Sequence, residues 1–118
     1  MTNQIVWLDI PVLDLDRAIG FYSAVLGAAV KKDTHPGMVI GVLPHAGDGV
    51  SGCLVRSDSP SDHGPLVYFN CSGRLDAAVA AAEANGGRIL QPKHSIGQYG
   101  ERAIVLDSEG NRIALHAA

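Results

Sequence analysis

The sequence predicts an α+β fold made of two βαβββ modules in tandem, and three observations point there. The chain matches itself at a shift of about 60 positions. Leu15-Asp16-Arg17-Ala18-Ile19 returns as Leu75-Asp76-Ala77-Ala78-Val79, and Leu26-Gly27 returns as Gly86-Gly87. Strand-like alternation and helix-like spacing follow one another in the same order in both halves. A polar, helix-breaking stretch at 57–64 separates them, which makes one domain over 1–118 from module 1 (about 4–56) and module 2 (about 65–117).

The first strand covers residues 5–12. Val6, Leu8, Ile10 and Val12 line one face, while Ile5, Trp7, Asp9 and Pro11 line the other. Asp14 then offers a carboxylate to the free N–H groups of a helix over 15–26, which Gly27 ends. The stripe Leu15, Ala18, Ile19, Tyr22, Val25 and Leu26 has the spacing to cover the Val6–Val12 face. Strands at about 28–32, 38–43 and 50–55 follow, broken by His35-Pro36-Gly37 and by Pro44-His45-Ala46-Gly47-Asp48-Gly49.

Module 2 repeats the order. A strand at about 66–71 leads to a helix at about 75–85, and strands near 88–91, 103–106 and 112–116 close the chain. Residues 5–12 match 65–72, and Gly52-Cys53-Leu54 matches Ile113-Ala114-Leu115 with one extra residue in the shift. Asp107-Ser108-Glu109-Gly110-Asn111 links the last two strands, with Gly110 and Asn111 assigned to turn geometry.

Composition narrows the function. A formal charge of −3 without a basic run argues against nucleic acid or an anionic membrane surface as partner. No stretch approaches the roughly 18 apolar residues of a membrane span, and the polar start Met1-Thr2-Asn3-Gln4 is unlike a signal peptide. Cys53 and Cys71 lack a CxxC spacing and read as small buried hydrophobes. The expectation is a cytoplasmic protein.

Ile10-Pro11-Val12-Leu13-Asp14-Leu15-Asp16-Arg17-Ala18-Ile19-Gly20-Phe21-Tyr22, together with the segment from Tyr99-Gly100 to Asn111-Arg112-Ile113, resembles the opening and closing motifs of the vicinal oxygen chelate superfamily. That group includes glyoxalases, bleomycin- and fosfomycin-resistance proteins and extradiol dioxygenases. The resemblance implies a curved, cup-like mixed sheet with helices on the outside, usually in a homodimer. It also implies a divalent ion in the metal-using members, held by His and Glu side chains from both modules. Carried over by motif, those ligand positions fall at Trp7, Cys53 (within a residue), Val67 and Ala114. None offers an imidazole or a carboxylate, and one thiol cannot supply the four to six donors a divalent ion takes. His35, His45, His63 and His94 fall in loop-like segments, and no pair among the five histidines has the spacing of two ligands on one strand or helix. No metal and no cofactor is expected.

Strand alternation places Trp7, Asp9, Val67, Phe69, Ala114 and His116 in the cup, with Cys53 nearby. Trp7 and Phe69 suit an organic ligand, although Phe69 serves equally as core filler. Asp9 needs a donor in such a place, and His116 is a candidate donor or general base. The alternative for both is a structural hydrogen bond. Tyr99, in the loop 92–100, is placed at the mouth, where the segment either closes over a ligand or forms a plain crossover. The leading expectation is a metal-independent binder of a small organic molecule. The alternatives are a lyase or isomerase using Asp9, His116 and Tyr99 or a divalent metal at an atypical site, and a purely structural domain.

Overall fold

The computed structural model describes residues 4–5, 7–47 and 49–118. Val6, the start Met1–Asn3, Asp48 and the side chain of His35, all used above, lie outside the described residues. In chain order the elements are β1 (Trp7–Val12), α1 (Leu15–Leu26), β2 (Lys31–His35), β3 (Met38–Val42) and β4 (Ser51–Arg56), then β5 (Val67–Asn70), α2 (Leu75–Ala84), β6 (Arg88–Ser95), β7 (Glu101–Leu106) and β8 (Arg112–Ala117). The strands form two four-stranded mixed sheets, ordered β1-β4-β3-β2 and β5-β8-β7-β6. In each sheet the first pair is parallel and the rest antiparallel. The α+β class and the doubled βαβββ order are those the sequence predicts.

Two elements differ from the sequence-based bounds for physical reasons. β2 begins at Lys31 rather than near Ala28, because Ala28 to Val30 carry the chain away from α1, with the Val30 N–H donated to Ser23 Oγ at 3.0 Å. Its residues Lys-Lys-Asp-Thr-His carry no apolar alternation that could mark a strand at the sheet edge. β6 runs on to Ser95 through Pro92, so the expected loop starts later. It is also an edge strand, and its register shifts between Gln91 and His94, which is where proline without an N–H is tolerated.

α1 is capped by Asp14, whose Oδ1 accepts from Arg17 N at 3.1 Å, and it ends at Gly27 in the left-handed region at φ 66°. The positive φ is what favours glycine there, and the Arg74 guanidinium adds a tight contact, 3.0 Å from where a Cβ would stand. The buried residues of α1 are Ala18, Phe21, Tyr22 and Val25. Phe21 lies outside the predicted stripe because α1 is covered on two sides. One side meets its own sheet, and the other meets α2 and the Gly87 backbone. Ile10, Val12 and Leu54 of module 1 therefore share a single core with Cys71, Leu75, Val105 and Leu115 of module 2. Both helices lie in this shared core, and the opposite face of each sheet points away from it.

The modules are joined by more than apolar contact. Among the described residues the buried polar and charged side chains are Asp107, Glu109 and Asn111, all in the β7–β8 turn. Asp107 accepts from Tyr22 Oη at 2.5 Å, from the Glu109 and Asn111 N–H groups at 2.8 Å, and from Asn111 Nδ2 at 2.8 Å. Asn111 Nδ2 also donates to the Pro11 carbonyl at 2.7 Å. Glu109 accepts from the Leu13 and Asp14 N–H groups at 2.8 and 2.7 Å and from the Arg17 guanidinium through Nε at 2.7 Å and Nη2 at 3.0 Å. At the other end of α1, Arg74 of module 2 donates to the Val25 carbonyl. Both ends of α1 are thus held by module 2, and the cation at its C-terminus also suits the helix dipole.

Burial pushes the Glu109 carboxyl up, but the Arg17 hydrogen bond, the backbone donor at Asp14 and Ser108 outweigh it and hold the group at about 2. Burial first, then the Asp107 charge, lifts the Tyr22 hydroxyl well above the ordinary tyrosine value, so it remains a donor. A carboxylate whose folded value is depressed stabilises fully above its unfolded value of about 4.5 and loses that contribution as pH falls through the folded value. Urea denaturation of Glu109→Gln at pH 7 is expected to show a loss of about 2–3 kcal/mol, with the gap to the parent closing between roughly pH 5 and 2. Tyr22→Phe should cost about 1–3 kcal/mol, since it removes one of the four donors around a buried carboxylate; equal midpoints for parent and variant would contradict the hydrogen bond.

Candidate functional site

The sheet registers decide which side chains share the faces turned away from the core. In module 1, Asp9 stands opposite Cys53 and Trp7 opposite Ser51. In module 2, Tyr68 stands opposite Ala114 and Asn70 opposite His116. Since Cys53 matches Ala114, the counterpart of Asp9 is Tyr68 and that of Trp7 is Leu66. Leu8, Ile10 and Val12 then match Val67, Phe69 and Cys71. The internal match therefore lengthens by one residue between strand and helix and by one more before the last strand.

This register moves two predicted site residues. Val67 and Phe69 belong to the helix-side face rather than the open one. The Phe69 ring packs on buried Tyr22 with centroids 5.4 Å apart, which is the core-filling alternative. The single shift used on the sequence displaced the strand by one position, and one position reverses every side chain. The open face of module 2 instead carries Tyr68, Asn70, Ala114, His116 and Arg102. Of these, Tyr68, Asn70 and Arg102 escaped sequence reasoning, and a signal was present: Tyr68-Phe69 offers a second aromatic one residue out of phase.

On the open face of module 1, Trp7 is 43% exposed. Its ring and the His45 imidazole stand at 74° to each other with centroids 6.4 Å apart. Asp9 is exposed, and Cys53 beside it is buried and donates its thiol to Asp9 Oδ1 at 3.2 Å. Burial is the main cause that raises the Cys53 thiol; a Trp7 hydrogen bond opposes it, and Asp9 adds to it. Burial likewise raises Cys71, which lies in the core. Asp9 and His116, the candidate pair, each have another partner in the chain: Asp9 accepts from Cys53, the structural alternative. His116 Nε2 meets the Tyr99 carbonyl at 2.6 Å. A carbonyl only accepts, so Nε2 carries a hydrogen.

Two hollows adjoin these residues. A cleft of about 700 Å³ runs between β1 and β5, both at sheet edges, and is lined by residues including Ile5, Leu8, Leu26, Leu66 and Phe69. A more open hollow of about 500 Å³ on module 2 is bounded by Tyr68, Ile96, Tyr99, Arg102 and His116. Tyr99, 68% exposed on the turn Gly97–Tyr99, stands at its rim.

The donor set does not suit the divalent ion implied by the fold. After the register correction the four positions hold an indole (Trp7), a thiol (Cys53), a leucine (Leu66) and an alanine (Ala114). Divalent ions of this kind are held by several imidazole, carboxylate or thiolate donors together. Among the described residues no group of three or more His, Cys, Asp and Glu side chains is placed to hold a metal.

Residues 4–115 match the model of the Glyoxalase/Bleomycin resistance protein/Dioxygenase superfamily. The chain is 30% identical over 115 residues to the protein CFP32 of Mycobacterium tuberculosis, provisionally named a glyoxylase. That match covers 92% of this chain and 42% of CFP32, so the chain spans less than half the length of this relative. A glyoxalase/bleomycin resistance protein from Albidiferax ferrireducens superposes with a TM-score of 0.76 at 21% identity, over 98% of this chain and all (100%) of that one. The genomically encoded fosfomycin resistance protein FosX of Listeria monocytogenes gives 0.73 at 17% identity, over 100% and 95% of the two chains. With the doubled βαβββ fold and a family match that runs through both modules, the chain belongs to the glyoxalase/bleomycin resistance protein/dioxygenase superfamily.

Proposed function

We propose that the protein binds a small organic molecule without a metal, in a cup completed by a second copy of the chain. The observation that carries this reading is the donor set Trp7, Cys53, Leu66 and Ala114 at the positions where metal-using relatives need His and Glu. An exposed indole on one open face and a Tyr68–Tyr99 rim on the other supply the aromatic surface such a ligand uses. The shared core turns the two open faces apart, so each is half of a cup. Its other half comes from a neighbouring chain. The unpaired edges of β1 and β5 and the apolar cleft between them, where Ile5 is 66% exposed, support the same pairing.

A homodimer of this kind returns Asp9 of one chain and His116 of the other to a common hollow. That arrangement favours acid–base chemistry by Asp9, His116 and Tyr99, as in a lyase or isomerase, as the second reading. Two free, buried cysteines are consistent with a cytoplasmic setting, and no described helix is long and apolar enough to cross a membrane.

Elemental analysis of protein purified without chelator is expected to find less than a tenth of an equivalent of any transition metal; one equivalent per chain would defeat the metal-free reading. Light scattering after gel filtration should return twice the 12.3 kDa chain mass, whereas a monomer at micromolar concentration would leave the cup without its second wall.

A further inference from the structure

The open face of module 2 carries a row of hydrogen-bonding side chains across all four strands. His94 on β6 stands opposite Arg102 on β7, Arg102 opposite His116 on β8, and His116 opposite Asn70 on β5. Tyr68 lies one step along from Asn70, with its ring 6.0 Å from the His116 ring and 5.9 Å beneath the Arg102 guanidinium. The donors can be assigned. His94 Nδ1 meets the Pro92 carbonyl at 2.9 Å and so carries a hydrogen, which leaves Nε2 to accept from Arg102 Nε at 3.1 Å. Arg102 Nη1 donates to the Tyr68 hydroxyl oxygen. The Tyr68 hydroxyl hydrogen is then free to turn outward.

Arg102 is held at two points by neutral groups, and among the described residues no carboxylate pairs with it. The hollow it lines with Tyr68, Ile96, Tyr99 and His116 contains no acidic side chain. A cation braced in place, with N–H groups to spare and an adjacent O–H donor, matches a planar oxyanion. Around it Tyr68, Tyr99 and Ile96 offer flat apolar surface rather than further donors. From this arrangement we infer that the ligand is an organic carboxylate with an aromatic or apolar body, its carboxylate held by Arg102 and Tyr68. The inference rests on the small-molecule reading above and names the class of molecule that the cup takes.

Titration calorimetry with 2-naphthoate and with 2-naphthalenemethanol, its uncharged analogue of similar shape, tests it. The parent protein is expected to bind the acid at least tenfold more tightly than the alcohol. Arg102→Gln should weaken the acid by about 10- to 100-fold and leave the alcohol unchanged, with Arg102→Lys in between. Equal binding of acid and alcohol that Arg102→Gln does not alter overturns the carboxylate assignment while leaving a metal-free binder in place. Binding of neither probe at millimolar concentration overturns both. An Arg102→Gln protein that binds the acid normally but dissociates into monomers reassigns Arg102 to the contact between copies.

Discussion

Asp107, Glu109 and Asn111 occupy one short turn, are buried together, and find most of their partners across the junction on α1 and at the end of β1. Taking two carboxylates out of water is costly unless every lone pair is used, and here hydroxyl, amide, backbone and guanidinium donors use them. The geometry of that junction is therefore narrow. A shift of one module against the other by even an ångström would strand a buried charge, so the turn fixes orientation as well as adding stability. Hydrophobic contact between α1 and α2 supplies area but tolerates sliding far better.

The consequences for function follow from that orientation. With α1 held by Glu109 near its first turn and Arg74 at its last, both helices stay inside the shared core. The faces bearing Trp7 and Asp9 on one side, and Tyr68, Arg102 and His116 on the other, are then turned outward. Each is well formed but one-sided. The unpaired edges of β1 and β5 lie beside them, which is the surface that the proposed pairing of two copies would use.

Much of this was legible in the sequence. Helix boundaries at Asp14 and Gly27 and the doubled element order depend on local residue chemistry. The placement of Val67 and Phe69 was lost because strand periodicity is two, and a single extra residue before α2 reverses inside and outside. Arg102 and His94 were missed for another reason. They meet only through the pairing of β6 with β7, across a proline-bearing edge strand that looks like loop in the sequence. Gly110 and Asn111 were assigned to a turn, and they do form one; that the turn is also a latch depends on residues about a hundred positions away, which no local pattern encodes.

The central claim is that the β7–β8 turn locks the two modules around one core, and hydrogen exchange at two backbone amides tests it most directly. The Leu13 and Asp14 N–H groups precede α1 and in an isolated module would face water; here they are donated to Glu109. The account predicts that both exchange in the native protein only on the slow timescale of the core amides, and that Glu109→Gln speeds them far more than the amides of α2. Rapid exchange of Leu13 and Asp14 in the unaltered protein, with slow exchange elsewhere in α1, would contradict it.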